Sequence, residues 1–375
     1  MQHVKDLASK LKEKKGFSLN MVMGLDGFVD EILHAVDKRQ DYKTYTRIPT
    51  ITEYANRIAK AAGLSTNLEM VSIQTKLGGN GPILSNALIS YGVDLTYAGL
   101  LGKPDIHPVF KPMAEKAKKI YSLGNPGFTD AAEFEDGKVM MGKHSTLADL
   151  TWDVFKEGIG GVEGLKTLIK ESDLFGMENW TMLPHMSDIW QGLVDEVFPL
   201  LQDKEVKPLA FFDLADPEKR TKEDILRAMN LISKFETKFR TILGLNEKEV
   251  YEIAEVFDIK LEENDEKLKN AVMAVYEKMG IHCLMVHPVR SACCAINGQY
   301  YFVDGPYCQK PKLTTGAGDN LNAGFCLGMS LGLDPLSCVT LGVSTSGFYV
   351  RNAVSPTYDE VIKFAEDWAD GKVSS

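Results

Sequence analysis

In the run TTGAGDNLNAGFCLGMSLGL, the small residues Gly316, Ala317 and Gly318 stand directly before Asp319 and a helical period carried by Leu321, Phe325 and Met329. Residues without bulk let the backbone approach an anion. The free N–H groups of a first helical turn, backed by the positive end of the helix dipole, can hold a phosphoryl group there. A carboxylate in the same turn can accept a proton from a hydroxyl that attacks that phosphoryl group, so Asp319 is the candidate general base. The dipole should lower its pKa. Phosphoryl transfer tolerates this, because it depends on alignment and charge stabilisation more than on early proton removal. The same residues also fit a plain helix start, with glycines for close packing and Asp319 as an N-terminal carboxylate, and a glycine-rich turn alone does not separate the two readings.

Other residues add chemistry of the same kind. Asp26 and Asp30 leave the apolar run SLNMVMGLDGFVD together, and ionised carboxylates, which only accept hydrogen bonds, suit vicinal hydroxyls. Gly79 and Asn80 in LGGNG offer room for a ligand and an amide that both donates and accepts. Asn246 and Glu249 in NEKE have the spacing of a helix capping box, which is what that spacing alone predicts. Arg290 has the guanidinium fork that suits phosphate, although a surface arginine is the plainer expectation. His282, Cys283, His287, Cys293 and Cys294 cluster, but their gaps give no zinc spacing, and the runs HCLMV and ACCAI read as buried strands.

The elements that must position these groups follow from periodicity. Val4, Leu7, Ala8 and Leu11 predict an amphipathic helix in an N-terminal extension over 1–16, without the apolar core of a targeting signal. Ile51, Tyr54, Ala55, Ile58 and Ala62 predict a helix closed by Gly63. Pro82 suits the first position of a helix running to Gly92, DLTYAGLLG reads as a strand, and AAEFEDGKVMMGKHS reads as a β-hairpin. The second half alternates apolar runs (SDLFGM, PLAFFDL, RTILGL, CLMVHPV) with helical periods, the pattern of a parallel sheet. No repeat or Pro/Gly/Ser-rich linker divides the chain.

Composition narrows the field. In 375 residues, 42 Lys and Arg against 52 Asp and Glu give a net charge of −10, which repels polyanions, so nucleic acid is not an expected partner. No stretch approaches the ~20 apolar residues of a membrane span. Six cysteines without regular spacing suggest reduced thiols and a cytoplasmic protein.

In order and spacing the motifs resemble those of the ribokinase-like, or PfkB, sugar kinases. The family's late signature, Asp-Thr-x-Gly-Ala-Gly-Asp followed by x-x-x-Ala-Gly-Phe, is similar to Leu313 to Asp319 and then NLNAGF. Its early Gly-Gly motif resembles Gly78, Gly79, Asn80 and Gly81, and its Asn-x-x-Glu resembles NEKE. The resemblance implies a three-layer α/β/α sandwich with a mostly parallel central sheet and a small β-rich lid. On it, the kinase domain spans 17–370 and the lid lies within about 31–77 and 127–146. It implies ATP as donor, a sugar-like acceptor held by Asp30, with Asp26 as competitor, and by Gly79 and Asn80. Asn246 and Glu249 would organise Mg2+ through water, Gly316 to Gly318 would form the anion hole, and Thr315 and Arg290 would serve the nucleotide. Leu313 replaces an Asp that in many members helps to bind a monovalent cation, which leaves potassium activation open, and VHPVRSA lacks the family's glycine-bearing turn. The long segment between Asp30 and Gly78 would alter substrate access or bury lid surface in a homodimer.

Two other readings stay open at this stage. A nucleoside kinase would need an aromatic clamp, for which Tyr42, Tyr45 or Phe128 are available. A degenerate binding protein fits Leu313 and VHPVRSA, while Asp319, the Gly-Ala-Gly run and NEKE argue against it.

Overall fold

The structure is a computed structural model and describes residues 1–373. Nine strands form the main sheet, in the spatial order Gln299–Asp304, Ser291–Ile296, Cys283–His287, Arg240–Asn246, Leu209–Asp213, Leu174–Met177, Asn20–Leu25, Asp94–Gly99 and Lys119–Ser122. The seven from Cys283–His287 to Lys119–Ser122 run parallel, and the two at the other edge are antiparallel. Both faces are covered by helices, so the strands read as continuous apolar runs rather than alternating ones. Within them, neighbours split between two cores. Phe212, Leu243 and Val286 pack on one side, while Phe211, Ile242 and Met285 pack on the other.

The N-terminal helix Gln2–Glu13 buries Val4, Leu7, Ala8 and Leu11, the face that its period predicts, and packs against the helices Pro335–Asn352 and Tyr358–Ala369. Two helices end differently from expectation. Ile51–Ala59 starts on a Thr50 cap, but its final turn tightens into bonds from Ala61 N–H to the Ile58 carbonyl and from Leu64 N–H to the Ala61 carbonyl, so it stops short of Gly63. The period in SDIWQGLVDEVFPLL gives an α-helix over Met186–Gly192 that continues as a π-helix over Leu193–Val197 and a 3-10 turn over Phe198–Leu200, where Pro199 lacks an N–H.

A second, five-stranded sheet stands apart from the first. Phe28–Arg39 pairs with Tyr45–Arg47, with Met70–Gly78 and with Gly127–Phe134, which pairs in turn with Gly137–Lys143 as the expected hairpin. Its own small core is Ala35, Ile48, Tyr54, Ala132 and Phe134. This is the β lid, rooted where the chain leaves the main sheet after Leu25 and where it returns at Gly78. All six cysteines are free thiols, and among the described residues no helix is long and apolar enough to cross a membrane.

Candidate active site

Five adjacent parallel strands deliver polar residues at their carboxyl ends, which is where an open α/β sheet binds its ligands. Crossing the sheet, these are His287, Asn246, Asp213, the pair Glu178 and Asn179, and Asp26. Register sets their level: Asn246 lies beside His287, and Met177 beside both Phe212 and Gly24, so Glu178, Asp213 and Asp26 rise together.

Asp26 is fully buried and organises the acceptor end. Its carboxylate accepts from the backbone N–H groups of Asn80 and Gly81, each at 3.0 Å, from the Asn179 amide at 2.7 Å and from the Tyr97 hydroxyl at 3.3 Å. Burial pushes its pKa up to about 6 against the pull of these donors. Gly79 has φ of 97°, and a Cβ there would come within 2.8 Å of Asp26 Oδ2, so the turn needs glycine on both counts. Asp30 emerges one turn later on the lid strand and faces the cleft, its pKa raised by burial and restrained by Thr129 and Lys76.

Across the cleft, the helix Ala317–Ser330 begins behind Gly316, which has φ of 89°, with Asp319 in its first turn. Its dipole does not set the Asp319 pKa as the sequence suggested. Burial first, and then the Asp26 charge, push it up to about 8, with the Asn80 side chain opposing. Glu178 and Asp213 are driven well above the carboxylate range as well, by burial and by their acidic neighbours. Neither carboxylate oxygen of Glu178 has a hydrogen-bond partner. An uncompensated acidic cluster of this kind holds protons until a cation replaces them.

The cleft has a volume of about 450 Å³ and is lined by Asp30, Gly79, Asn80, Asp213, Asn246, Glu249, Gly318 and Asp319, among others. Lys219 is the cation among its described lining residues, opposing five carboxylates (Asp30, Asp213, Asp216, Glu249 and Asp319), and it is paired with Asp216 at 3.0 Å. A second pocket of about 390 Å³ lies behind the first, walled by the turn at 287–291, by Gly305 to Cys308 and by Thr314, Ala317 and Gly318.

Asn246 and Glu249 do form the capping box. Asn246 Oδ1 accepts from Glu249 N–H at 2.9 Å, and Glu249 Oε2 accepts from Asn246 N–H at 2.8 Å. Glu249 Oε1 takes a third N–H, from Asp216, at 2.9 Å. Both residues nonetheless line the cleft. Among the described residues no group of three or more His, Cys, Asp or Glu side chains is arranged to chelate a metal directly. The carboxylates that line the cleft, Asp213, Asp216, Glu249 and Asp319, fit a dication held through water.

Of the residues expected from sequence, the structure brings Asp30, Gly79, Asn80, Asn246, Glu249, Gly318 and Asp319 to one cleft. Asp26 sits behind it as a support. Ala317 and Arg290 line the second pocket, where Arg290 lies over the Tyr307 ring at 4.4 Å, and Gly316 caps the helix. Thr315 faces another cavity and its carbonyl accepts from Tyr349, so Thr314 takes the pocket wall instead. None of Tyr42, Tyr45 and Phe128 lines the cleft. Tyr42 is 83% exposed, and Tyr45 binds His34. Sequence reading passed over Glu178, Asn179, Asp213, Lys219 and His287 as site residues. The available signal was a polar residue closing an apolar run, as in LFGMEN, LAFFD and CLMVH.

The comparisons agree with this geometry. A model of the prokaryotic ketohexokinase family matches residues 2–368. A ketohexokinase from Haloferax volcanii is 28% identical over 352 residues, covering 93% of this chain and 92% of that one. Among solved structures, a ribokinase from Thermotoga maritima superposes with a TM-score of 0.63 at 16% identity, over 93% of this chain and 100% of its own. A ribokinase from Arabidopsis thaliana, complexed with ribose and ATP, gives 0.61 at 14% identity over 93% and 98%. At these identities the two structures establish the fold, an α/β sandwich of the ribokinase type.

Proposed function

The chain belongs to the prokaryotic ketohexokinase family and is a carbohydrate kinase, and from that premise we propose that it transfers the γ-phosphoryl group of ATP to a hydroxyl of a ketohexose, with Asp319 as general base. Supporting this above all is the placement of Asp319 and the first helical turn at the meeting of two chambers, a polar cleft of sugar size and a pocket behind it. Asp30, Asn80 and the Gly79 backbone line the acceptor side and would hold sugar hydroxyls.

In the reaction, the acceptor oxygen forms a bond to the γ-phosphorus, the bond to the β,γ-bridging oxygen breaks, and the hydroxyl proton passes to Asp319. The N–H groups of Gly316 and Gly318 would bind the phosphoryl oxygens as charge develops, while that of Ala317 donates to the Thr314 carbonyl at 3.1 Å. Bound Mg2+ would neutralise the phosphates, with Asn246 and Glu249 orienting its waters. A base with a pKa near the working pH suits proton transfer better than an ordinary aspartate. Lid closure would keep water out. The cleft wall holds none of Tyr42, Tyr45 and Phe128, but Phe28 and His144 line it, so the acceptor panel decides between a ketohexose and a nucleoside.

The test is ADP release by purified protein with MgATP and a panel of ketohexoses, aldoses, sugar acids and nucleosides, run beside Asp319→Asn. Turnover with a ketohexose that the variant abolishes supports the proposal. Turnover confined to nucleosides, or undiminished in Asp319→Asn, refutes it.

A further inference from the structure

At the opposite end of the sheet, where the strands Leu174–Met177, Leu209–Asp213 and Arg240–Asn246 begin, lies a pocket of about 450 Å³ that belongs to neither chamber of the active site. Its walls come from the close of the helix Gly161–Glu171, the loop 200–208 and the turn before Arg240. The length of the strand Leu209–Asp213, roughly 15 Å at about 3.3 Å per residue, separates it from Asp213 in the cleft. A ligand here takes no part in phosphoryl transfer.

Lys166, Lys170, Lys204, Lys207 and Lys238 line this pocket against one acid, Asp203, in a chain whose net charge is −10. Lys166 pairs with Glu163 at 2.9 Å and Lys238 with Asp203 at 2.7 Å. Among the described residues, no carboxylate lies within ion-pair distance of Lys170, Lys204 or Lys207. Two of these ammonium groups also complement helix ends. Lys204 Nζ donates to the Lys170 carbonyl at 2.9 Å, and Lys207 Nζ donates to the Glu236 carbonyl at 2.7 Å. An ammonium has three N–H groups, so one such bond leaves two for a ligand. Beside the charges the wall is apolar: Ile169 is buried, while Leu201 and the 45% exposed Leu200 face the same space. Convergent charge over an apolar wall, at this volume, is the make-up of a small-molecule site.

We propose that this pocket binds a small molecule bearing two phosphate groups, its phosphates on Lys170, Lys204 and Lys207 and its carbon body against Leu200 and Leu201. The three unpaired positive charges set the number, since each phosphate carries about −1.5 to −2 near neutral pH. A sugar bisphosphate and a nucleoside diphosphate share this chemistry. The inference does not depend on the kinase function proposed above.

The experiment measures pyrophosphate binding by calorimetry at low ionic strength in wild type and three paired variants. Lys170→Gln/Lys204→Gln removes charge from the pocket at two exposed positions, Lys170→Arg/Lys204→Arg keeps it, and Lys60→Gln/Lys278→Gln removes two exposed lysines outside the pocket. We expect Lys170→Gln/Lys204→Gln to weaken binding at this site about tenfold or more, the loss of two contacts to a charged group. The other two pairs should stay within about threefold of wild type, and turnover without pyrophosphate should be the same in all four proteins. No binding by wild type, an isotherm for Lys170→Gln/Lys204→Gln that superposes on wild type, or an equal loss in Lys60→Gln/Lys278→Gln would overturn the assignment. The second of these outcomes would put the anion in the catalytic cleft, and the third would show a general charge effect. Fructose bisphosphate and ADP then separate the two sources. A lysine-dependent affinity above that of pyrophosphate assigns the pocket to a sugar bisphosphate in the first case and to a nucleotide in the second, and either supports the proposal.

Discussion

Replacing Asp319 by Asn should abolish turnover and stabilise the protein, by an amount that grows with pH. In the folded chain the carboxyl of Asp319 has a pKa of about 8 against an ordinary 3.8, raised first by burial and then by Asp26. The folded state therefore keeps a proton that the unfolded state releases above pH 4, and stability drains away as pH rises from about 4 to 8. At about 1.4 kcal/mol per pH unit the ceiling on this loss is about 6 kcal/mol. Dielectric relaxation around a cleft side chain should reduce what is measured to roughly 1–3 kcal/mol. Asn is isosteric and uncharged, so it removes the loss and also relieves Asp26, whose own pKa should fall. Urea denaturation of both proteins at pH 5, 6.5, 8 and 9, without ligands, measures the gap. It should be small at pH 5 and widen to its full size by pH 9. A gap independent of pH, or a variant less stable than wild type at pH 9, would refute the electrostatic account of the site. In the same account, wild-type kcat/KM rises as pH approaches 8, because only ionised Asp319 accepts the proton.

Three further substitutions probe the remaining parts. Asp26→Ala leaves the N–H groups of Asn80 and Gly81 and the amide of Asn179 without their acceptor, and should cost about 2–4 kcal/mol in urea denaturation together with all detectable acceptor binding. Gly79→Ala places a Cβ 2.8 Å from Asp26 Oδ2 at positive φ. It should cost about 1–2 kcal/mol from the backbone alone and raise acceptor KM more than nucleotide KM. Glu249→Gln keeps one of the two N–H contacts and should fold, while the Mg2+ concentration for half-maximal rate rises about tenfold, as read from a metal titration of turnover.

Much of this was legible in the sequence, and the reasons differ from residue to residue. The alternation of apolar runs with helical periods announced the parallel sheet, because strands buried on both faces have no polar side to confuse the pattern. Asp319 and Gly316 to Gly318 were visible because glycines before a helical period are uncommon and have a physical reason to be there. Asp213, Glu178 and His287 were hidden because each lies at the close of a strand, beside residues far away in sequence. Sequence marks where a strand stops but not which strands stop side by side. The pKa of Asp319 failed for a related reason. A helix dipole is a local property that the sequence shows, whereas burial and the neighbouring Asp26, 293 positions away, belong to the folded site.

The lid and the acceptor site are tied by one side chain. The chain leaves the main sheet for the lid just after Asp26 and returns at Gly78, so the two roots of the lid lie side by side. Asp26 joins them by accepting the N–H groups of Asn80 and Gly81 from the returning root, while Asn179 and Tyr97 hold it from the sheet below. Asp30 projects from the outgoing root, and a Cβ on Gly78 would strike its carboxylate at 2.5 Å, so the roots pack with no space between them. Shifts of the lid strands therefore carry Asp30, while Asn80 stays with Asp319, whose helix its own helix packs against. Asp30 and the lid form one mechanical unit, and the base, the anion hole and Asn80 belong to another, because the helix Asn80–Ser90 packs against Ala317–Ser330, which in turn packs along Pro335–Asn352. Bringing hydroxyl and phosphoryl group into line is then a matter of how these two units meet, which is where alignment-dependent phosphoryl transfer puts its demand.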